Sequence, residues 1–194
     1  SGGTGTGKTT IINLLSSFIP DTERVVTIED VFELSLTNMH VVSLQTKEAA
    51  SADDTSFVTL SQLLRSTLRL RPDRIIVGEI REGEGAVVML AAANTGHEGT
   101  MTTTHANSAD FAVNERIPDL IREDRPNSSD DVLKRTIASA FDLVIQIERG
   151  RVGNRYISNI SQIDRSFIVD GIIQPVVLFK GIDNGNGTVT FSAV

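Results

Sequence analysis

The 194 residues predict an α/β fold: a mostly parallel sheet covered by helices on both faces. Short, almost wholly apolar runs, such as Ile75-Ile76-Val77 and Leu143-Val144-Ile145-Gln146-Ile147, read as strands buried on both sides. Stretches with apolar residues at helical spacing separate them, and strand–helix alternation is the pattern of a parallel sheet. A third observation stands at the first residues. Gly2-Gly3-Thr4-Gly5-Thr6-Gly7-Lys8-Thr9 has the spacing G-x-x-x-x-G-K-T, and a phosphate-binding loop of that form joins a strand to a helix.

The elements follow in order. The helix after the loop carries Thr10 and then Ile11, Ile12, Leu14, Leu15 and Phe18 as the apolar positions it would bury. Pro20-Asp21 makes a turn, residues 24–28 form a strand ending at Glu29-Asp30, and residues 41–44 form another. Residues 47–55 are small and polar, the composition of a mobile loop. Leu60, Leu63, Leu64, Thr67 and Leu68 mark a helix that stops at Pro72. A buried strand over 74–79, a helix over 84–93, a strand over 98–104, helices over 109–121 and 129–140, and a strand over 143–147 complete the alternation. After Gly150 the character changes: residues 156–163, 166–170, 174–179 and 188–192 read as successive strands joined by turns such as Asp170-Gly171. Residues 1–150 are thus expected to form the core, and residues 151–194 a small antiparallel β extension packed on it. A phosphate loop ordinarily follows a buried strand, and nothing precedes Ser1. The sequence therefore reads as the C-terminal piece of a longer polypeptide, with the first strand and an N-terminal domain outside it.

Composition narrows the function. Lys and Arg number 18 against 25 Asp and Glu, a net charge of −7, which argues against generic adhesion to nucleic acid or anionic lipid. Trp is absent and Tyr156 is the sole Tyr, so base stacking on single strands has little to work with. Without cysteine there is neither a disulfide framework nor a Cys-based zinc site, which fits an intracellular setting. No apolar run is long enough to span a membrane as a helix.

The chemistry sits in the loop and at strand ends. Glycines let successive amide N–H groups turn inward on one phosphate, and the helix that follows aims its positive end at the same anion. Lys8 supplies a point charge for the β- and γ-phosphates, and the Thr9 hydroxyl is placed to bind Mg²⁺. Ligands in open α/β sheets lie beyond the carboxyl ends of strands, where Glu29 and Asp30, Gly78 and Glu79, and His105 fall. In nucleotide hydrolases an Asp usually closes the second apolar strand; here Gly78 takes that place and Glu79 follows.

With those residues in view, the chain resembles the secretion-superfamily ATPases of type II and type IV secretion and pilus assembly, most closely the tight-adherence (Flp-type) branch. The resemblance rests on Gly2–Thr10, on Val26-Thr27-Ile28-Glu29-Asp30 (the acidic box), and on Leu68-Arg69-Leu70-Arg71-Pro72-Asp73-Arg74 through Gly78-Glu79-Ile80-Arg81. Asn94-Thr95-Gly96-His97-Glu98-Gly99 through Thr104-His105-Ala106-Asn107-Ser108 (the histidine box) completes it, and the run Arg81-Glu82-Gly83-Glu84 carries a Glu where relatives often have Gly or Asp. It implies a RecA-like P-loop NTPase fold. It also implies that Gly3, Thr4, Gly5, Thr6, Gly7, Lys8, Thr9 and Thr10 hold ATP, with Thr9 on Mg²⁺ and Glu79 reaching the ion through water. Glu79 would be the general base, Glu29 and Asp30 would complete the Mg²⁺ and water shell, and His105 would sense the γ-phosphate. Arg69, Arg71 and Arg81 would contact phosphate or a neighbouring subunit, with Arg71 projecting from the extended geometry that precedes a proline. A hexamer at the cytoplasmic face of the inner membrane, docked on membrane platform proteins and binding no nucleic acid directly, is the implied assembly. Two alternatives stand beside this motor: the ATPase of a conjugation-type transfer system, and a regulatory nucleotide-binding module, which Gly78 keeps open. His97 suits either the histidine box or a plain helix-ending turn.

Overall fold

A computed structural model describes residues 1–51 and 55–194; of the polar 47–55 stretch, positions 52–54 lie outside the described residues. The chain divides into two compact units, Thr9–Thr103 and Ser1–Lys8 together with Thr104–Val194.

The Thr9–Thr103 unit is built on a parallel sheet of order β2-β1-β3-β4, with β1 Val25–Glu29, β2 Val41–Gln45, β3 Arg74–Val77 and β4 Met101–Thr102. The apolar runs dictate which strands are central: all five residues of β1 are buried, as are Ile75, Ile76 and Val77 of β3. β1 pairs with both neighbours in register, Val26 opposite Val42 on one side and Ile75 on the other. The strand expected over 98–104 pairs only at Met101 and Thr102, opposite Ile76 and Val77.

Helix α1 (Lys8–Ser16) buries Ile12 against Val25 and Ile76. Leu14 and Phe18 were expected in that interface and are exposed instead, at 58% and 77%. The helix period explains both: Leu14 lies two residues from Ile12, about 200° around the axis, and Phe18 falls beyond the last turn. Helix α2 (Leu60–Thr67) opens with a capping box in which the Thr59 hydroxyl accepts from Gln62 N and the Gln62 side chain accepts from Thr59 N. It packs on α3 (Gly83–Ala93) where Gly85 leaves room for Leu60; a Cβ there would lie 2.7 Å from Leu60 Cδ2.

The other unit carries an antiparallel sheet of order β10-β9-β6-β5, with β5 Leu143–Arg149, β6 Arg155–Gln162, β9 Val176–Asp183 and β10 Val189–Ala193. The hairpin β7 (Ile168–Val169) and β8 (Ile172–Ile173) stands beside it. The expectation that residues 143–147 belong to the parallel sheet is corrected here. β5 pairs antiparallel with β6 along its length, while Ser1 and Gly2 run parallel to it: Ser1 N donates to Ile145 O, Ile147 N donates to Ser1 O, and Gly2 bridges Ile147. Leu143 is exposed, Val144 and Ile145 are half-buried, and Gln146 and Ile147 are buried, so burial deepens along the strand.

Residues 109–121, read as one helix, are α4 (Ala109–Phe111), a π-helical turn (Ala112–Arg116) and α5 (Ile117–Asp124). The π turn buries Asn114, whose side chain donates to Ile173 O and accepts from Ile173 N, 2.8 and 3.0 Å. That reciprocal pair pins β8 to the helix as a strand neighbour would. Helix α6 (Asp130–Ala140) sends buried Lys134 to Asn114 O, and burial pushes the Lys134 ammonium below its ordinary range. No helix among the described residues is long and apolar enough to cross a membrane.

Candidate functional site

The loop's backbone is shaped by its glycines. Gly5 and Gly7 have φ of +66° and +96°, which L side chains rarely adopt. Gly2 has φ +156°, and a Cβ there would lie 2.5 Å from Ile147 O and 2.8 Å from Thr6 Oγ1. Thr6 is buried and its hydroxyl donates to Gly3 O at 2.9 Å, tying the loop across its own width. The Lys8 ammonium bridges the carbonyls of Gly2 and Gly3, each at 3.0 Å, and reaches His105 Nδ1 at 3.3 Å. An ammonium only donates, so Nδ1 is the acceptor and Nε2 carries the ring proton. Two expected residues, Lys8 and His105, are thus brought together. Arg149, not anticipated from the sequence, donates from Nη2 to Gly5 O at 3.2 Å. It ends the apolar run of β5 and belongs to no motif, so no sequence signal marked it.

The Thr9–Thr103 unit gathers the acidic strand ends. Glu29, at the end of β1, is 5% exposed; its Oε1 accepts from Glu33 N and Leu34 N at 2.9 and 2.8 Å, while its Oε2 is buried without a hydrogen-bond partner. Glu33 Oε2 accepts from the Thr9 hydroxyl at 3.0 Å. Glu33 was not singled out in the sequence, though it lies three residues past the acidic box. Glu79 follows β3 and receives Arg81 Nη2 at 2.8 Å; Arg81 also lies 3.6 Å from Asp30. The hydrogen bond to Glu79 is the main reason the Arg81 guanidinium is held still more firmly protonated than usual. Asp30 accepts in addition from Thr46 Oγ1 at 3.0 Å.

Gly78 has a packing reason. Its amide donates to Ile28 O, its carbonyl accepts from Thr103 Oγ1, and a Cβ would lie 3.2 Å from Glu29 Cγ. The Glu29 stem therefore occupies the space a side chain at 78 would need.

Other expected residues are placed elsewhere. Arg71 precedes Pro72 but is left-handed, with φ 51°, rather than extended. Arg69 and His40 are exposed. His97 Nδ1 lies 3.2 Å from Ala92 O and so donates to a carbonyl in the last turn of α3, with left-handed Gly96 before it.

For a divalent cation the available donors are the Thr9 hydroxyl and carboxylates of the acidic strand ends, hard oxygen ligands of the kind Mg²⁺ takes. No ready-made cluster of three or more His, Cys, Asp or Glu exists among the described residues, but the unpartnered buried Oε2 of Glu29 is the sort of orphan a cation satisfies.

A glycine-shaped phosphate loop with Lys8 laid across it, in an α/β chain with acidic strand ends, defines a P-loop nucleotide-binding protein. The family described as "Type II/IV secretion system protein" matches residues 1–155, and the chain belongs to it. It is 42% identical over 159 residues to the conjugal transfer protein TrbB of Rhizobium radiobacter, covering 80% of this chain and 45% of that protein. It is 40% identical over 156 residues to the type IV secretion system protein PtlH of Bordetella pertussis, covering 77% and 44%. Among solved structures it is similar to the VirB11 ATPase of the Brucella suis type IV secretion system. That match has a TM-score of 0.72 and 32% identity, and covers 83% of this chain and 46% of that one. The pilus retraction motor PilT with bound ADP matches at a TM-score of 0.65 and 27% identity, covering 82% and 44%. The chain thus spans a little under half the length of these relatives.

Proposed function

We propose that this chain is the ATP-hydrolysing half of a motor subunit that powers pilus assembly or secretion across the bacterial envelope. One observation carries the reading most: the left-handed Gly5 and Gly7 with the Lys8 ammonium on the Gly2 and Gly3 carbonyls, the form of a loop made for phosphate, in a secretion-family chain. The backbone N–H groups of Gly3 to Thr10 would cradle the β- and γ-phosphates, and Lys8 would leave its carbonyls for phosphate oxygens. Thr9, with Glu29 and Glu79 through water, would hold Mg²⁺, which when bound neutralises charge on the phosphates. Glu79 would take a proton from the attacking water while the bond from the γ-phosphorus to its bridging oxygen breaks. Arg81 fixes the Glu79 carboxylate for that task, Glu29 and Asp30 order the neighbouring waters, and His105 reports on the γ-phosphate beside Lys8.

In this reading the full-length protein forms a homo-oligomeric ring, most simply a hexamer. The ring sits at the cytoplasmic face of the inner membrane on platform proteins of the secretion or pilus apparatus, with no direct contact to nucleic acid. ATP binding and release would open and close the subunit in cycles. A second reading, the ATPase of a conjugation-type transfer system, is favoured by the resemblance to TrbB. The test is Lys8→Ala in the full-length protein, expected to abolish ATP turnover and, in cells, the export or pilus assembly it drives. Wild-type turnover in that variant contradicts the proposal, and export lost only for DNA substrates selects the second reading.

A further inference from the structure

Away from the motifs, a groove of about 390 Å³ opens on the antiparallel sheet, lined among others by Arg149, Arg151, Tyr156, Lys180, Gly181 and Asp183. The strand register builds it. Glu148 stands opposite Tyr156 and Arg149 opposite Arg155 where β5 meets β6, and β9 brings Lys180 to Asp183 alongside. Gly181 keeps the floor low, since a Cβ there would lie 2.1 Å from Ile157 O. Three cations line this groove in a chain of net charge −7, and none of them forms an ion pair among the described residues. The lining carboxylate, Asp183, is committed to the backbone: it accepts from Arg151 N at 2.8 Å and Gly185 N at 3.1 Å. Those bonds, that from Arg151 N first, hold it below the ordinary carboxylate range, so it stays ionised and offsets one of the three lining cations, Arg151 foremost.

Three cations against one lining carboxylate leave the groove with an excess of positive charge, which an anion would relieve. Two guanidiniums offering planar forks and one ammonium offering a point charge suit phosphate, and the half-buried Tyr156 ring gives an apolar wall for a base or sugar. The volume is that of a nucleotide-sized ligand. One of the cations also touches the phosphate loop, through Arg149 Nη2 on Gly5 O at 3.2 Å. We propose that this groove is a second anion site, taking a small phosphorylated ligand of nucleotide size, and that Arg149 links its occupancy to the phosphate loop. A phosphate that draws Arg149 into the groove releases the Gly5 carbonyl and loosens the turn it anchors. The linkage rests on the nucleotide reading of the loop; the groove itself does not.

The test is calorimetric titration of ADP into the full-length wild type, Lys8→Ala, and the double variant Arg151→Ala/Lys180→Ala, whose two positions are exposed and whose thermal midpoint should match wild type. Two ADP per chain in wild type are expected, one lost in Lys8→Ala and the other in the double variant. One ADP per chain, lost in Lys8→Ala and kept in the double variant, overturns the groove and leaves the loop reading intact. Binding kept in Lys8→Ala and lost in the double variant upholds the groove and overturns the loop reading. The linkage predicts at least a fivefold difference in loop affinity between wild type and the double variant, and equal affinities contradict it.

Discussion

Gly78 shows how a single position is settled by its neighbours. The sequence places it where a nucleotide hydrolase ordinarily has a metal-binding Asp, and that absence alone suggested a module that binds without turnover. The packing adds a constraint of its own, because a Cβ at 78 would stand 3.2 Å from Glu29 Cγ and the Glu29 stem would have to give by a few tenths of an ångström. A carboxylate is still supplied to that strand end, from β1 instead of β3. At Gly2 the constraint is backbone: a Cβ would lie 2.5 Å from Ile147 O, which cannot swing aside, and φ is +156°. Gly2→Ala is therefore expected to destabilise the fold by roughly 3 kcal/mol, read as a lowered denaturation midpoint. An unchanged midpoint would show that the loop is not held there. Motif spacing brings Lys8, Thr9, Glu29, Glu79 and His105 forward as candidates, and the structure sets Lys8 beside His105. Residue chemistry was illegible for Arg149 and Glu33, whose partners are set by three-dimensional approach, and for Arg71, whose left-handed backbone overrides the extended preference before proline.

Among elements, the buried strands β1 and β3 were readable because both faces of their apolar runs, Val25 to Ile28 with small Thr27 and Ile75 to Val77, are covered. β5 misled for the opposite reason. Its apolar run looks the same in one dimension, yet it lies in an antiparallel sheet with Leu143 exposed and Val144 half-buried. The π turn inside the stretch read as one helix spans five residues, too few to carry a period of its own. Its consequence is the Asn114 clasp on Ile173. Asn114→Ala strands a buried N–H and C=O of Ile173 and is expected to cost about 2–4 kcal/mol. Hydrogen exchange should quicken first at Ile173, and unchanged protection there would mean that the clasp does not hold β8.

For the whole molecule, the net charge is −7 and no helix among the described residues is long and apolar enough to cross a membrane. Light scattering of the full-length protein is expected to give six chains per particle with ATP and Mg²⁺, whereas a monomer under those conditions would contradict the ring. Fold class and family were legible at this scale because motif order along the chain carries them. The cargo was not, since nothing in the nucleotide chemistry depends on it.

ATP hydrolysis by this chain rests on Glu79 as the carboxylate that activates water. Its most direct test is ATP turnover and ATP binding measured side by side in the full-length wild type and Glu79→Gln. The expected result is turnover lost by at least a hundredfold with binding retained. Brisk turnover in Glu79→Gln would contradict it and move the base to another strand end, with Glu29 next; equal, near-zero turnover in both would leave a nucleotide-binding module in place of a motor.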